Sequence, residues 1–228
     1  MTNVNLILGR ISFAAAALFL SAPAQAHFFW SEITPDSPTT YRITFGEEAG
    51  DKLDDKLVAR AQRVQAWTAD GKDLPLTLTD GFLTATIPAG TNVVPSGCTW
   101  GIRRSQDGTK SYLLEYYSKA ALGEAGASAT ANLPVEVFVR RDGAKFIATV
   151  KHNNIPVPNS EIVFTSPASK DEQTVKTDAN GSADLGPAQG GRYDIRAKVE
   201  EARSGFFNGK PYPSVADYST LSFVADSK

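Results

Sequence analysis

The sequence is poor in the residues that most often carry disulfide, metal and acid–base chemistry. Its 228 residues include one cysteine, Cys98, and two histidines, His27 and His152. A single cysteine excludes a disulfide within the chain, so we expect the fold to depend on its hydrophobic core. The expected role of Cys98 is a small buried side chain; an intermolecular link or a metal ligand are the alternatives.

The same scarcity argues against an enzyme. The sequence contains no recognisable nucleophile, acid–base or cofactor motif. In a Ser-His-Asp arrangement, His27 and His152 would have to serve every histidine role. We therefore expect no catalysis.

Concentrated positive charge and long apolar runs are missing too. Lysine and arginine total 23 against 25 acidic residues, and basic residues adjoin only in pairs. This distribution makes nucleic acid an unexpected partner. The apolar stretch from Ile11 to Leu20 is too short to span a bilayer as a helix, so we expect no stable membrane span.

That apolar stretch has the surroundings of a secretory signal peptide. Arg10 precedes it, and the small residues Ala24 and Ala26 follow it at the spacing of a cleavage site. The pattern predicts a signal peptide over residues 1–26 and a periplasmic or secreted protein. Cleavage after Ala26 would make His27 the first residue of the mature chain.

A histidine at a new amino terminus can chelate a metal through its α-amine and its ring Nδ1. The free amine titrates near pKa ~8 and is readily deprotonated by a metal at neutral pH. Nitrogen ligands of this kind suit Cu, Ni, Co and Zn. The alternative is that His27 is simply the residue that the peptidase leaves. The aromatic residues Phe28–Trp30 favour a packed terminus.

The rest of the chain shows the alternation of short β-strands. Residues 40–45 alternate in strand fashion, and Asp80-Gly81 stands between two such runs, which is a strong hairpin signal. Similar strands and turns recur to the end of the chain, whereas the only predicted helix is short, over residues 51–58. The pattern predicts an all-β protein of two tandem β-sandwich domains, Ig-like with Greek-key topology.

A segment rich in Ala, Gly, Ser and Thr divides the chain. Residues 120–132 lack turn chemistry and periodicity, which predicts a flexible linker. The predicted domains are then residues 27–119 and 133–228. A second aromatic segment, residues 204–212, is too long for a hairpin turn, and we expect it to dock against the first domain or to cover a sheet edge.

Four segments resemble a known family of exported proteins. They are Ala26–Trp30, Ile43–Glu47, Tyr116–Lys119, and Phe207–Tyr212 with the Tyr-Ser-Thr-Leu that follows at residue 218. The family has no known function, and its members are often labelled nickel uptake transporter family proteins because some lie beside nickel or cobalt transporter genes. Residues 155–199 also resemble the carboxypeptidase-regulatory type of sandwich repeat.

The resemblance implies two linked β domains, export, and the handling of a transition metal for an uptake transporter or another envelope protein. Members of the family often have a histidine just before the final Tyr-Ser-Thr-Leu, where this chain has Asp217. If that histidine binds metal in relatives, a carboxylate here would hold Cu less well but still accept Ni, Co or Zn. The site could instead have been lost.

The candidate metal ligands are His27, Glu47, Asp217 and His152, with Lys119 and Tyr117 as outer-shell partners. Lys119 could pair with Glu47 and orient it. Each has a simpler alternative, namely a solvated acid, a turn histidine or a surface lysine.

Three functions follow from these residues. The first is a non-catalytic protein that binds a divalent transition metal (Ni, Co or Cu) through His27 and passes it to an uptake system. The second is a copper-dependent oxidative enzyme, which would need His27 and His152 to form one copper site. The third is a metal-free module that binds a protein or a glycan through its loops.

Overall fold

The computed structural model describes residues 27–34, 39–53, 57, 63–105 and 107–227. The predicted signal peptide and most of the helix predicted over 51–58 lie outside these ranges. Within them, residues 51–53 are not helical and Leu57 is. No helix in the described ranges is long and apolar enough to cross a bilayer.

The described chain is nearly all β, as predicted. Its N-terminal half contains β1 (Phe28–Thr34), β2 (Thr40–Gly46), β3 (Gln65–Ala66), β4 (Thr77–Thr79), β5 (Phe82–Thr86), β6 (Val93–Arg104) and β7 (Ser111–Ala121). Its C-terminal half contains α1 (Gly123–Ser128), β8 (Val135–Asp142), β9 (Lys145–His152), β10 (Ile155–Pro156), β11 (Glu161–Ser166), β12 (Ser169–Lys176), β13 (Ser182–Pro187), β14 (Gly191–Glu201), β15 (Gly205–Phe207), β16 (Lys210–Tyr212) and β17 (Val215–Ala225).

The N-terminal half packs a four-stranded sheet, in the order β1-β2-β5-β4, against β7 and its neighbours. Alternation places Leu83 and Ala85 of β5 in the core, while their neighbours along the strand are more exposed. The predicted hairpin at Asp80-Gly81 is confirmed, and both residues have positive φ, as a tight two-residue turn requires. Phe28, Phe29 and Trp30 are buried in this core, as expected.

The C-terminal half has its own core between the strands β8, β9 and β13 and the strands β11, β14 and β17. Three aromatic rings, of Phe146, Tyr193 and Phe223, lie at its centre with centroids 5.1 to 5.7 Å apart. The two large cores of the described residues agree with the predicted β-sandwich class. The domain boundaries given above remain a prediction.

One seven-stranded sheet, in the order β12-β11-β14-β17-β7-β6-β3, runs through both halves. The halves join where β17 pairs with β7 in parallel, from Val215 opposite Leu113 to Ser222 opposite Ala120. Parallel strands need a long crossover, and here most of the C-terminal half lies between them. The sandwiches therefore share a sheet.

Residues 120–132 are not the flexible linker that their composition suggested. Ala120 and Ala121 complete β7, α1 follows, and Ala127 and Ala131 are buried. The small side chains permit close packing: a Cβ on Gly126 would lie 2.2 Å from the carbonyl oxygen of Asn92. The composition thus reflects a tight contact.

Residues 204–212 form a hairpin of their own, β15 paired with β16, which the prediction did not foresee. Its turn is Asn208-Gly209, both at positive φ, the dipeptide most typical of two-residue turns. The ring of Phe207 lies against Gly101 of β6, since a Cβ there would be 3.5 Å from the ring. The hairpin therefore docks against the N-terminal half, one of the two expected roles.

Cys98 lies within β6 as a buried free thiol. Burial raises its pKa to about 12, so it stays protonated at neutral pH. Its expected role as a small buried side chain is confirmed.

Candidate metal centre

The four predicted ligands do not meet; they form two pairs on opposite faces of the seven-stranded sheet. The hydroxyl of Tyr116 donates to the carbonyl oxygen of His27 at 3.2 Å, on the face that packs against β1. Tyr117 and Asp217 point to the other face, since neighbours along a strand alternate. A copper site that uses both His27 and His152 is incompatible with this separation.

His27 and Glu47 lie together at an open cleft at the start of β1. Glu48, Asp51 and Lys52 line the same cleft, and the carboxylate of Asp51 accepts the backbone N–H of Glu48 at 3.0 Å. Both His27 and Glu47 are exposed. The cleft thus holds solvated acids beside a histidine that would gain a free amine after cleavage.

Lys119 does not orient Glu47. It is fully buried beneath α1, and its Nζ donates to Glu136 at 3.0 Å and to the carbonyl oxygens of Ala127 and Ala129 at 3.2 and 3.0 Å. Burial lowers its pKa to about 8, against the opposing attraction of Glu136. Lys119 therefore fixes the segment that follows β7, and the outer-shell prediction for it is wrong.

His152 and Asp217 come together with a third residue, Glu201. One ligand atom from each of the three lies within 4.8 Å of the others, and we call this group the His-Glu-Asp cluster. Glu201 ends β14 and pairs with Val215, two residues before Asp217, so the two acids are diagonal neighbours. His152 approaches from the end of β9, in the other sheet of the C-terminal half.

Asp217 is the most buried member of the cluster, with 1% of its surface exposed. Its Oδ1 has no hydrogen-bond partner among the described residues. Burial raises the pKa of its carboxyl, and the negative charge of Glu115, directly opposite on β7, raises it further. A buried carboxylate oxygen beside other acids is unfavourable unless a proton or a cation joins it.

The remaining contacts surround these acids with donors. Glu115 accepts the hydroxyl of Thr99 at 3.1 Å and that of Tyr117 at 3.3 Å. Arg203 donates from Nε to Glu201 Oε2 at 2.9 Å and from Nη2 to Glu115 Oε2 at 3.3 Å. Tyr117, predicted as an outer-shell residue, thus borders this cluster, and burial raises its pKa.

His152 lies near Glu201 without a direct hydrogen bond to it. Its Nε2 lies 3.9 Å from Glu201 Oε2 and 3.2 Å from the side-chain amide nitrogen of Asn153. The imidazole and the two carboxylates nevertheless offer ligand atoms within 4.8 Å of one another.

No protein-family model and no curated protein matches this chain.

Among solved structures, the chain is similar to the D00-D0 domain of intimin, with 16% identity over 83% of this chain and 95% of that one, and a TM-score of 0.20. It is also similar to a tetra-tandem repeat in the extending region of a large adhesion protein, with 14% identity and a TM-score of 0.22. That match covers 87% of this chain and spans about half (49%) of the other. Scores this low support no inference about function.

The sequence predicted two members of the cluster and missed Glu201, together with its neighbours Glu115 and Arg203. A signal was present. Glu201 lies shortly before the aromatic segment 204–212 and Asp217 shortly after it, and a segment that returns as a hairpin brings its flanking residues together. Reading Asn208-Gly209 as a turn would have placed the two acids near each other on neighbouring strands.

An imidazole with two carboxylates is a borderline-hard ligand set. It suits Zn, Co, Ni and Mn, and it lacks the thiolate or thioether that selects Cu(I).

Proposed function

We propose that this chain is a non-catalytic binding protein for a divalent transition metal, which His152, Glu201 and Asp217 would hold. The observation that supports the proposal most directly is the buried Oδ1 of Asp217, which lacks a partner among the described residues and lies beside a histidine and a glutamate. A bound cation would satisfy this oxygen and relieve the repulsion between Asp217 and Glu115.

The donor set narrows the choice of metal. Ni, Co and Zn accept mixed nitrogen and oxygen ligands, whereas Cu would gain more from a second imidazole. Asp217 occupies the position where the resembling family often has a histidine, so the substitution favours Ni, Co or Zn over Cu. Glu115, opposite Asp217, would belong to the outer shell, and Tyr117 and Thr99 donate hydrogen bonds to Glu115.

The cellular setting is also part of the proposal. Residues 1–26 have the pattern of a signal peptide, so the protein would work in the periplasm or outside the cell. There it would capture the metal and deliver it to an uptake transporter or another envelope protein, as the resemblance suggests. The role as a delivery protein depends on the metal site and falls with it.

Titration of the purified full chain with Ni²⁺, Co²⁺ and Zn²⁺ tests the metal site. We expect saturable binding of one ion, and about 10- to 100-fold weaker binding or none in Asp217→Asn and His152→Gln, which remove ligands. Asp142→Asn, an exposed acid far along β8, is the matched control and should bind as the wild type does. Equal binding by all four proteins would refute the site.

His27 supports a second, weaker metal position. It shares its cleft with Glu47 and Asp51, and signal-peptide cleavage would add its α-amine. One ion cannot use this cleft and the His-Glu-Asp cluster together, because they lie on opposite faces of the sheet. Chains that begin at His27 can be compared with chains that keep one extra residue before it, which isolates the contribution of the amine. If the two chains bind Ni²⁺ with the same affinity, and Cu²⁺ likewise, this position is excluded.

A further inference from the structure

Arg203 supplies a positive charge beside the His-Glu-Asp cluster. Its guanidinium bridges two acids, with Nε 2.9 Å from Glu201 Oε2 and Nη2 3.3 Å from Glu115 Oε2. Arginine stays protonated at any physiological pH, so this charge cannot be titrated away. Two of the three carboxylates around the proposed site are therefore engaged by an internal cation.

The arginine and the proposed metal compete for the same atom. Glu201 Oε2, which accepts from Arg203, is also the oxygen that lies 3.9 Å from His152 Nε2. An ion between His152, Glu201 and Asp217 would draw on this oxygen and would place its charge beside the guanidinium. Two cations that share one carboxylate repel each other, so Arg203 weakens metal binding for as long as it stays in place.

Arg203 also has room to leave. It lies in the short connection, residues 202–204, between β14 and the β15–β16 hairpin, outside any strand. Its side chain is 47% exposed, whereas Asp217 is buried. The pair of Arg203 with Glu201 is exposed on both sides and therefore weak, and an entering ion would replace the guanidinium charge beside the more buried Glu115.

We infer that Arg203 is a built-in competitor of the metal: it binds Glu201 and Glu115 in the metal-free protein, turns outward when an ion enters, and returns to speed the ion's release. This inference rests on the proposed metal site and adds a mechanism for exchange. A delivery protein needs such a mechanism, because a carrier that holds its ion too tightly cannot pass it on.

The test compares Co²⁺ binding by the wild type, Arg203→Gln and Arg203→Lys. The absorption spectrum of the bound Co²⁺ measures the binding. We expect Arg203→Gln to bind Co²⁺ about tenfold more tightly, as removal of two weak ion pairs would give, and to release it to excess chelator correspondingly more slowly. Arg203→Lys keeps the charge without the fork and should lie between them. Arg140→Gln, which loses an exposed ion pair on β8, should match the wild type.

Failure of the inference about Arg203 and failure of the proposed metal site would give different results. If the wild type binds Co²⁺ at a site that Asp217→Asn abolishes, but Arg203→Gln binds no more tightly, then Arg203 is not a competitor and the inference is wrong. Weaker binding by Arg203→Gln would show that the arginine instead orders Glu201 as a ligand, which also overturns it. If no protein shows binding that depends on Asp217, the proposed metal site itself is refuted.

Discussion

At the scale of single residues, Lys119 of β7 and Asp217 of β17 are both buried, but their polar atoms find hydrogen-bond partners to different degrees. Lys119 is enclosed, yet a carboxylate and two carbonyl oxygens surround its Nζ. Asp217 is equally enclosed, but its nearest charged neighbours include another acid, and one of its oxygens lacks a partner among the described residues. The polar atoms of Lys119 are thus satisfied, whereas Asp217 keeps a buried oxygen without a partner among the described residues.

Glu136→Gln tests the contact between Lys119 and Glu136. It removes the charge that compensates Lys119, and we expect the free energy of unfolding to fall by about 2–4 kcal/mol at pH 7. Chemical denaturation measures the loss. Asp142→Asn breaks an exposed pair with Arg140 and should change stability by less than about 1 kcal/mol. A loss in Glu136→Gln no larger than in this control would contradict the assignment.

The deficit of Glu136→Gln should also shrink as pH rises. Burial lowers the pKa of folded Lys119 to about 8 in the wild type, and removal of Glu136 lowers it further. Between these two pKa values the folded wild type keeps a proton that the folded variant has lost, so the wild-type advantage declines with pH. Denaturation at pH 6 and pH 9 should show a larger difference at pH 6.

In metal-free protein we expect Asp217→Asn to stabilise the fold, whereas Glu136→Gln destabilises it. Because the pKa of folded Asp217 is raised, the folded state holds its proton longer than the unfolded state, and stability falls as pH rises from about 4 through the raised pKa. The variant escapes this loss, so we expect it to be about 1–2 kcal/mol more stable at pH 8, with little difference near pH 4.

Bound metal should make the wild type more stable than Asp217→Asn. Wild type at a metal concentration of 100 Kd should gain about 2.7 kcal/mol, and Asp217→Asn should gain far less. Thermal unfolding with and without Co²⁺ measures both effects. Asp171→Asn on β12, an exposed acid, should follow the wild type throughout. A metal-free Asp217→Asn that is less stable at pH 8 would show that the carboxylate is already satisfied.

At the scale of elements, the segment around α1 shows how composition can mislead. Runs of Ala and Gly occur in flexible linkers and in tightly packed segments alike, and only the neighbours decide between them. Here the carbonyl of Asn92 lies where a side chain of residue 126 would begin. No pattern within residues 120–132 reports a contact with residue 92.

Gly126→Ala makes this contact measurable. In an open helix the substitution would stabilise by up to ~1 kcal/mol. At Gly126 the new Cβ would meet the carbonyl oxygen of Asn92, so we expect a net loss of about 1–3 kcal/mol. Ala125→Leu, at the exposed neighbouring position of α1, should change stability by less than about 0.5 kcal/mol. Stabilisation by Gly126→Ala, measured by urea unfolding, would show that α1 is loosely held.

Strands and turns were more predictable than their pairing. Alternation and Asp80-Gly81 gave β5 and its hairpin, because both signals are local. The parallel pair of β17 and β7 joins residues about a hundred positions apart, and no local pattern encodes it. The sequence did not show that the candidate ligands lie on two faces of the sheet for the same reason. The faces that Tyr116 and Tyr117 occupy are fixed only once β7 has its partner strands.

At the scale of the whole molecule, the shared sheet should make the two halves unfold together. Besides the β17–β7 pair, Thr220 of β17 donates to the carbonyl oxygen of Phe29 at 2.7 Å, and the hydroxyls of Ser31 and Ser118 lie 2.6 Å apart. These buried contacts tie β1 of the N-terminal core to the strands that also bound the C-terminal core. Separation of the halves would break the β17–β7 backbone hydrogen bonds and the contact of Thr220 with Phe29, and would lose the stability that these buried hydrogen bonds give.

Two optical probes can test this coupling, because all three tryptophans, Trp30, Trp67 and Trp100, lie in the N-terminal half. We expect tryptophan fluorescence and far-ultraviolet circular dichroism, which reports both halves, to give one coincident urea transition. Thr220→Val should shift both probes equally, by about 1–3 kcal/mol, while Thr86→Val at an exposed position of β5 should shift neither. A fluorescence transition that moves alone would mean that the halves are independent despite their common sheet.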